Sequence, residues 1–278
     1  MTTNIWKVPA YLPYVHDPVS ERIVKDAETK LRVSLPRSYV ELISEQNGGY
    51  VRRVLPDFPH RMIWGIGSEF PSISEPHREL RRWARKGRRF WEKTLPLVPF
   101  DGDGHWYLCL DYRGETTEPR VTFIDLEIEE EHAIADTFNG FLSLLRPDGS
   151  PTDLGIVGDW TIESAAQVLA GALGVPFDDQ GSWAYGYPVW GGSLGDAANP
   201  QWCWLSPNEV ARGFVREDHE RFKDLNDRMP GLAKRFPEFP DVAVEISCTE
   251  GVSERVRDAC KRAFMQVVSL AANEDDNS

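Results

Sequence analysis

The sequence predicts an α+β protein made of two parts. Three observations carry this reading. Apolar residues recur at helical spacing near the start. An apolar run over 95–100 enters an acidic Gly turn and returns as two strands and a helix. The second half then orders as helix, hairpin, helix, strand and helix, with no internal repeat of the first. The expected domains are 1–150 and a smaller α+β domain over 151–278.

Residues 19–32 place Val19, Ile23, Val24, Ala27 and Leu31 on one helical face, with Asp17 or Ser20 available as cap. Ser34-Leu35-Pro36 opens a second helix whose apolar face is Tyr39, Val40, Leu42 and Ile43. Asn47-Gly48-Gly49 is expected to stop it in a left-handed C-cap. Short strands follow at 50–55 and 61–66, around the Pro-rich turn at 56–60. Residues 75–93 read as a basic helix with Leu80, Trp83, Ala84, Phe90 and Trp91 as a buried face.

The unit over 95–145 is the most informative stretch. Asp101-Gly102-Asp103-Gly104 reverses the chain, because glycine reaches positive φ without steric cost. Strands are expected at 106–112 and 120–126. An amphipathic helix then carries the stripe Ile134, Phe138, Phe141 and Leu142, with His132 just before it. Turn formers without apolar period mark a boundary near 147–158. Beyond it lie helices at 161–174, 207–224 and 253–270, a strand at 241–248, and a frayed acidic end.

The 278 residues are 41% apolar and hold 10 Trp, enough for a substantial core. Net charge is −13, unevenly spread: 20 Lys/Arg against 23 Asp/Glu in 1–150 (−3), and 11 against 21 in 151–278 (−10). An acidic body repels nucleic acid and anionic lipid and attracts basic partners. Cys109, Cys203, Cys248 and Cys260 show no CxxC spacing, so neither a zinc site nor a redox motif is expected, and the compartment reads as reducing. The first residues lack the basic and apolar regions of a secretory leader, no apolar run spans a bilayer, and a cytoplasmic location is expected.

Asp101, Asp103, His105 and Asp111 are close in sequence, but D-G-D-G-H fails the EF-hand pattern. His105 and Asp111 also stand about 20 Å apart along one strand at ~3.3 Å per residue. No G-x-S-x-G elbow or phosphate-cradling loop occurs, so no catalytic residue, metal or cofactor is expected. Trp183, Tyr185, Tyr187, Trp190, Trp202 and Trp204 cluster among glycines, as either a packed core or a recognition face.

The first half resembles the SUKH superfamily, which includes fungal cell-wall-synthesis regulators and bacterial toxin-immunity proteins. The residues that carry the resemblance are Ala27-Glu28 to Leu31, Leu35-Pro36 with Ser38-Tyr39 and Leu42-Ile43, and Asn47-Gly48-Gly49. They continue through Leu97-Val98-Pro99-Phe100, the Asp101–Gly104 turn, Cys109-Leu110-Asp111, and Ile134-Ala135 with Phe138 and Phe141-Leu142. They cover residues 20–146. His105 stands where many relatives carry Asn, and Asp125-Leu126-Glu127 departs from the usual end of the next strand. The resemblance implies a mainly antiparallel sheet flanked by helices, and protein binding without catalysis. It implies an immunity protein that occludes the active site of a basic toxin domain. A regulatory scaffold is the alternative, and an enzyme binding a small ligand in the Trp/Gly-rich half is a second. The expected partner contacts are Asp101, Asp103, His105, Asp111, Tyr112 and Glu127 near the turn, and Trp183, Tyr185 and Trp190 in the second half.

Overall fold

The computed structural model describes residues 5–74, 97–114, 117–147, 152–196 and 198–270. The basic stretch 75–93 and the acidic end lie outside them, as does part of the expected boundary. The chain divides into two compact units. One comprises Met1–Lys7 and Tyr11–Arg146; the other takes Val8–Ala10 with Pro147–Ser278. Both combine helices with antiparallel sheet, so the α+β expectation holds.

In the first unit, α1 is Glu21–Leu31 and α2 is Arg37–Glu45. Ser20 caps α1 by accepting from the Ile23 N–H at 3.3 Å. α2 turns Tyr39, Leu42 and Ile43 inward. It does not end in a left-handed cap: Gln46 at its end is extended, with φ −149°. The following glycines serve another need. A Cβ on Gly48 would stand 2.6 Å from the Gly65 backbone nitrogen, so only glycine admits that approach. Asn47 is buried beside them. Its Nδ2 donates to the carbonyls of Asp17 (2.6 Å) and Ile66 (2.9 Å), and its Oδ1 accepts from the Ile66 N–H (2.8 Å).

Four strands form the main sheet of this unit in the order β1 (Leu97–Gly102), β2 (Trp106–Asp111), β3 (Arg120–Asp125) and β4 (Glu130–Ala135), all antiparallel. β1 and β2 are buried along nearly their whole length, which explains their continuous apolar runs. β4 corrects the sequence expectation, which gave Ile134 to a helix. The acidic first residues of β4 are exposed, and Thr137 then caps α3 (Phe138–Leu144) by accepting from the Gly140 N–H at 3.0 Å. The core sets Tyr39, Phe100, Phe138 and Phe141 edge to face, with ring centroids 5.2–5.4 Å apart for Tyr39–Phe138, Phe100–Phe138 and Phe100–Phe141.

The second unit is a six-stranded antiparallel sheet. It comprises β5 (Leu154–Val157), β6 (Asp178–Asp179), β7 (Trp190–Ser193), β8 (Trp202–Pro207), β11 (Val242–Cys248) and β12 (Val267–Ser269), ordered β6-β7-β8-β11-β5-β12. α4 (Ile162–Leu173) and α6 (Ser253–Arg262) supply the rest of its apolar core. α4 carries the Thr161/Ser164 capping box and the Gly174 C-cap that its sequence announces. Two expected helices are shorter. Over 207–224 the chain forms β9 (Glu209–Ala211) and the strand Gly213–Phe214 before the single turn α5 (Phe222–Leu225). β9 pairs with β10 (Leu232–Lys234). The helix expected to reach residue 270 ends at Arg262, where Phe264 at φ +56° reverses the chain into β12. No helix among the described residues is long and apolar enough to cross a membrane.

Candidate functional site

Two hairpin turns meet at one end of the four-stranded sheet. Trp106 at the start of β2 pairs with Asp125 at the end of β3, so the β1–β2 and β3–β4 turns emerge side by side. Each is closed by an aspartate. The Asp103 Oδ1 accepts from the N–H groups of His105 (2.8 Å) and Trp106 (3.2 Å). The Asp125 Oδ1 accepts likewise from Glu127 (2.8 Å) and Ile128 (3.1 Å). The turns are joined by the Leu126 N–H donating to the His105 carbonyl at 2.7 Å, and by His105 Nδ1 donating to Glu127 Oε1 at 2.7 Å. Asp103, His105 and Glu127 are exposed, as is Ile128 at 64%. The result is a hydrogen-bonded acidic rim around the exposed Ile128.

Asp101 does not belong to that rim. Its carboxylate is 2% exposed. Oδ2 accepts from His60 Nδ1 (2.8 Å) and from the N–H groups of Arg61 (3.1 Å) and Met62 (3.3 Å), while Oδ1 accepts from its neighbour Gly102 (2.8 Å). The pair has the composition of an acid–base dyad, but His60 is sealed against Phe141, and its Nε2 has no hydrogen-bond partner among the described residues. A solute cannot reach it, so its role is to tie the Arg61–Met62 backbone to β1.

Asp111 is likewise buried, at the far end of β2. It accepts from Arg113 Nε and Nη2 (2.9 and 2.8 Å), Arg120 Nε (2.9 Å) and Thr122 Oγ1 (3.0 Å). Burial pushes its carboxyl up, but the hydrogen bonds from the Arg113 side chain and N–H and from Arg120 outweigh this and hold it well below the usual carboxylate range. Tyr112 donates its hydroxyl to the Ser34 carbonyl at 2.7 Å. Burial, then the Glu28 and Glu118 carboxylates, push that hydroxyl up. Burial thus removes two of the expected contacts, Asp101 and Asp111, from any docking surface. Tyr112 stands with Asp111 at the opposite end of β2 from the rim.

The aromatic cluster of the second unit divides between core and surface. Tyr187 is buried beneath the Arg235 guanidinium, whose carbon lies 4.2 Å from its ring centroid, and Trp190 is half-buried against the core. Trp183 and Tyr185 are exposed at 57% and 53%. Arg216 lies over Trp183 at 4.8 Å, and Tyr185 stacks on Tyr187 at 5.7 Å. Trp202 and Trp204, not among the expected contacts, are also exposed and stack at 5.5 Å and 15°. Their signal was the alternation Trp-Cys-Trp on one strand, which sends both indoles to the face opposite Cys203. His60, the other unexpected residue, has no local signal, since its partner lies 41 residues away.

Among the described residues, no group of three or more His, Cys, Asp or Glu side chains is placed to hold a metal ion. The family model described as the SMI1 / KNR4 family (SUKH-1) matches residues 18–144. The matched segment contains both turns and the whole four-stranded sheet. No curated protein matches the chain.

Proposed function

We propose that the chain, whose residues 18–144 match the SMI1 / KNR4 family (SUKH-1) model, is a non-catalytic immunity protein that binds a cognate basic toxin domain and covers its active site. The observation that carries this reading is the joined pair of aspartate-closed turns presenting Asp103, His105, Glu127 and Ile128. A preformed rim loses little entropy on binding, and its acidity suits a cationic cleft. The net charge of −13 steers such a partner at long range. Trp183 and Tyr185 offer the second unit its own aromatic contact surface. The two domains are proposed to follow the division near residue 147, with the protein acting in the cytoplasm.

The test expresses the reading frame immediately upstream of this gene with and without this chain. Growth arrest relieved by co-expression, with a stable complex on co-purification, supports the proposal. An upstream frame that leaves growth unaffected, or no complex, overturns it. The alternative reading, a regulatory scaffold, is favoured by the presence of two separately cored units that each expose contact residues. It predicts several captured partners and no toxin.

A further inference from the structure

Three of the four cysteines fall in the second unit, and all three are buried and free. Cys203 lies on β8, Cys248 ends β11 and Cys260 lies on α6. β8 and β11 are antiparallel neighbours, and Cys203 stands directly opposite Cys248. Both side chains face the core.

Their hydrogen-bonding register decides how close they stand. The Thr249 N–H donates to the Trp202 carbonyl at 3.0 Å, so 202 and 249 form a hydrogen-bonded pair. Pairs alternate along an antiparallel ladder, which makes Cys203–Cys248 a non-hydrogen-bonded pair. Such pairs are the closer kind, with Cα atoms about 4.5 Å apart. A disulfide accommodates Cα separations of about 4.4–6.8 Å. The two thiols therefore stand where a bridge closes without the strands moving apart. Burial pushes both thiols up, and they react slowly while the sheet is closed. Cys248 is the more exposed of the two, at 7% against 0%. It is the last residue of its strand, and its Sγ makes a weak bond to the Thr152 carbonyl at 3.7 Å.

We propose that Cys203 and Cys248 form an oxidisable pair that closes a cross-strand disulfide with a small-molecule disulfide, such as glutathione disulfide, as oxidant. One cysteine gives up its proton, attacks the oxidant and releases one glutathione thiolate, leaving a mixed disulfide. The second cysteine gives up its proton and attacks the protein-bound sulfur, releasing the other glutathione thiolate. The two protons end on the two departing glutathiones, and the oxidant has gained the two electrons lost by the protein. The bond ties β8 to β11 at the centre of the six-stranded sheet. The pair is independent of the docking rim, so a failure of either proposal leaves the other standing.

The test incubates the full-length protein with glutathione disulfide, then unfolds it, alkylates it and digests it without reduction. The expected result is a fall from four alkylated cysteines to two, a linked peptide pair containing Cys203 and Cys248, and no retained glutathione mass. The thermal midpoint should rise and return on adding dithiothreitol. Cys260→Ala should leave the cross-link intact, and Cys248→Ser should abolish it. Four persisting thiols, a stable glutathione adduct, or a link to Cys260 or to a second chain overturns the proposal, and the unmodified protein alone suffices to show it.

Discussion

Asp101 and Asp103 stand two positions apart on one turn and do opposite things. Asp101 faces inward and satisfies three backbone N–H groups and His60; Asp103 faces solvent and closes the turn. Asp101→Ala orphans those donors and should cost about 3–5 kcal/mol, read as a fall in the urea midpoint. The Asp111 carboxyl, held below its unfolded value, contributes stability that is complete above the ordinary aspartate range of about pH 4. That contribution is lost as pH falls from there toward the lowered folded value. Urea midpoints across this range should drop steeply for the natural protein. Asp111→Asn should be less stable at pH 7 by about 3 kcal/mol and much flatter in acid. None of this was legible from local pattern. The residues that enclose Asp101 arrive from Arg61 and Met62, roughly forty positions away. A pattern that shows a polar turn does not show which of its carboxylates points in.

At the scale of elements, legibility followed capping chemistry. α1 and α4 begin where a hydroxyl reaches back to an N–H, and those starts and the Gly174 stop of α4 are readable in the chain, whereas the left-handed Arg32 that ends α1 carries no such signal. β1 and β2 were legible as continuous apolar runs. β4 was not. Its register partner β3 outcompetes the helical spacing of Ile134 and Phe138, which fall in separate elements. Gly102 shows why the β1–β2 turn needs its glycine. At φ +152° a Cβ would stand 2.4 Å from the Tyr107 ring and 2.5 Å from the Trp106 carbonyl oxygen. Gly102→Ala should destabilise by about 2–3 kcal/mol in chemical denaturation. The end of α6 runs the other way. Phe264 is 97% exposed in a left-handed conformation that suits glycine. Phe264→Gly should therefore raise stability by about 0.5–1 kcal/mol, measured by the same method.

For the whole molecule, the proposed function assigns to charge how a partner is met and to the rim where. Asp103→Ser combined with Glu127→Gln keeps an oxygen at both positions while removing two charges. With the proposed toxin partner, association should slow about tenfold at low salt and depend less on ionic strength, measured by stopped-flow mixing. Dissociation should change less. The sequence by itself settled the α+β class, the capped starts of α1 and α4, the buried strands of the first half and the resemblance of residues 18–144 to the SUKH family. Those follow from spacing and turn chemistry within a few residues. Only the tertiary structure decided that Asp103 and Glu127 share a rim, that Asp101 and Asp111 are interior, and that Cys203 faces Cys248. The burial of a polar side chain and its pairing depend on residues brought together across dozens of positions, and local alternation alone does not encode them.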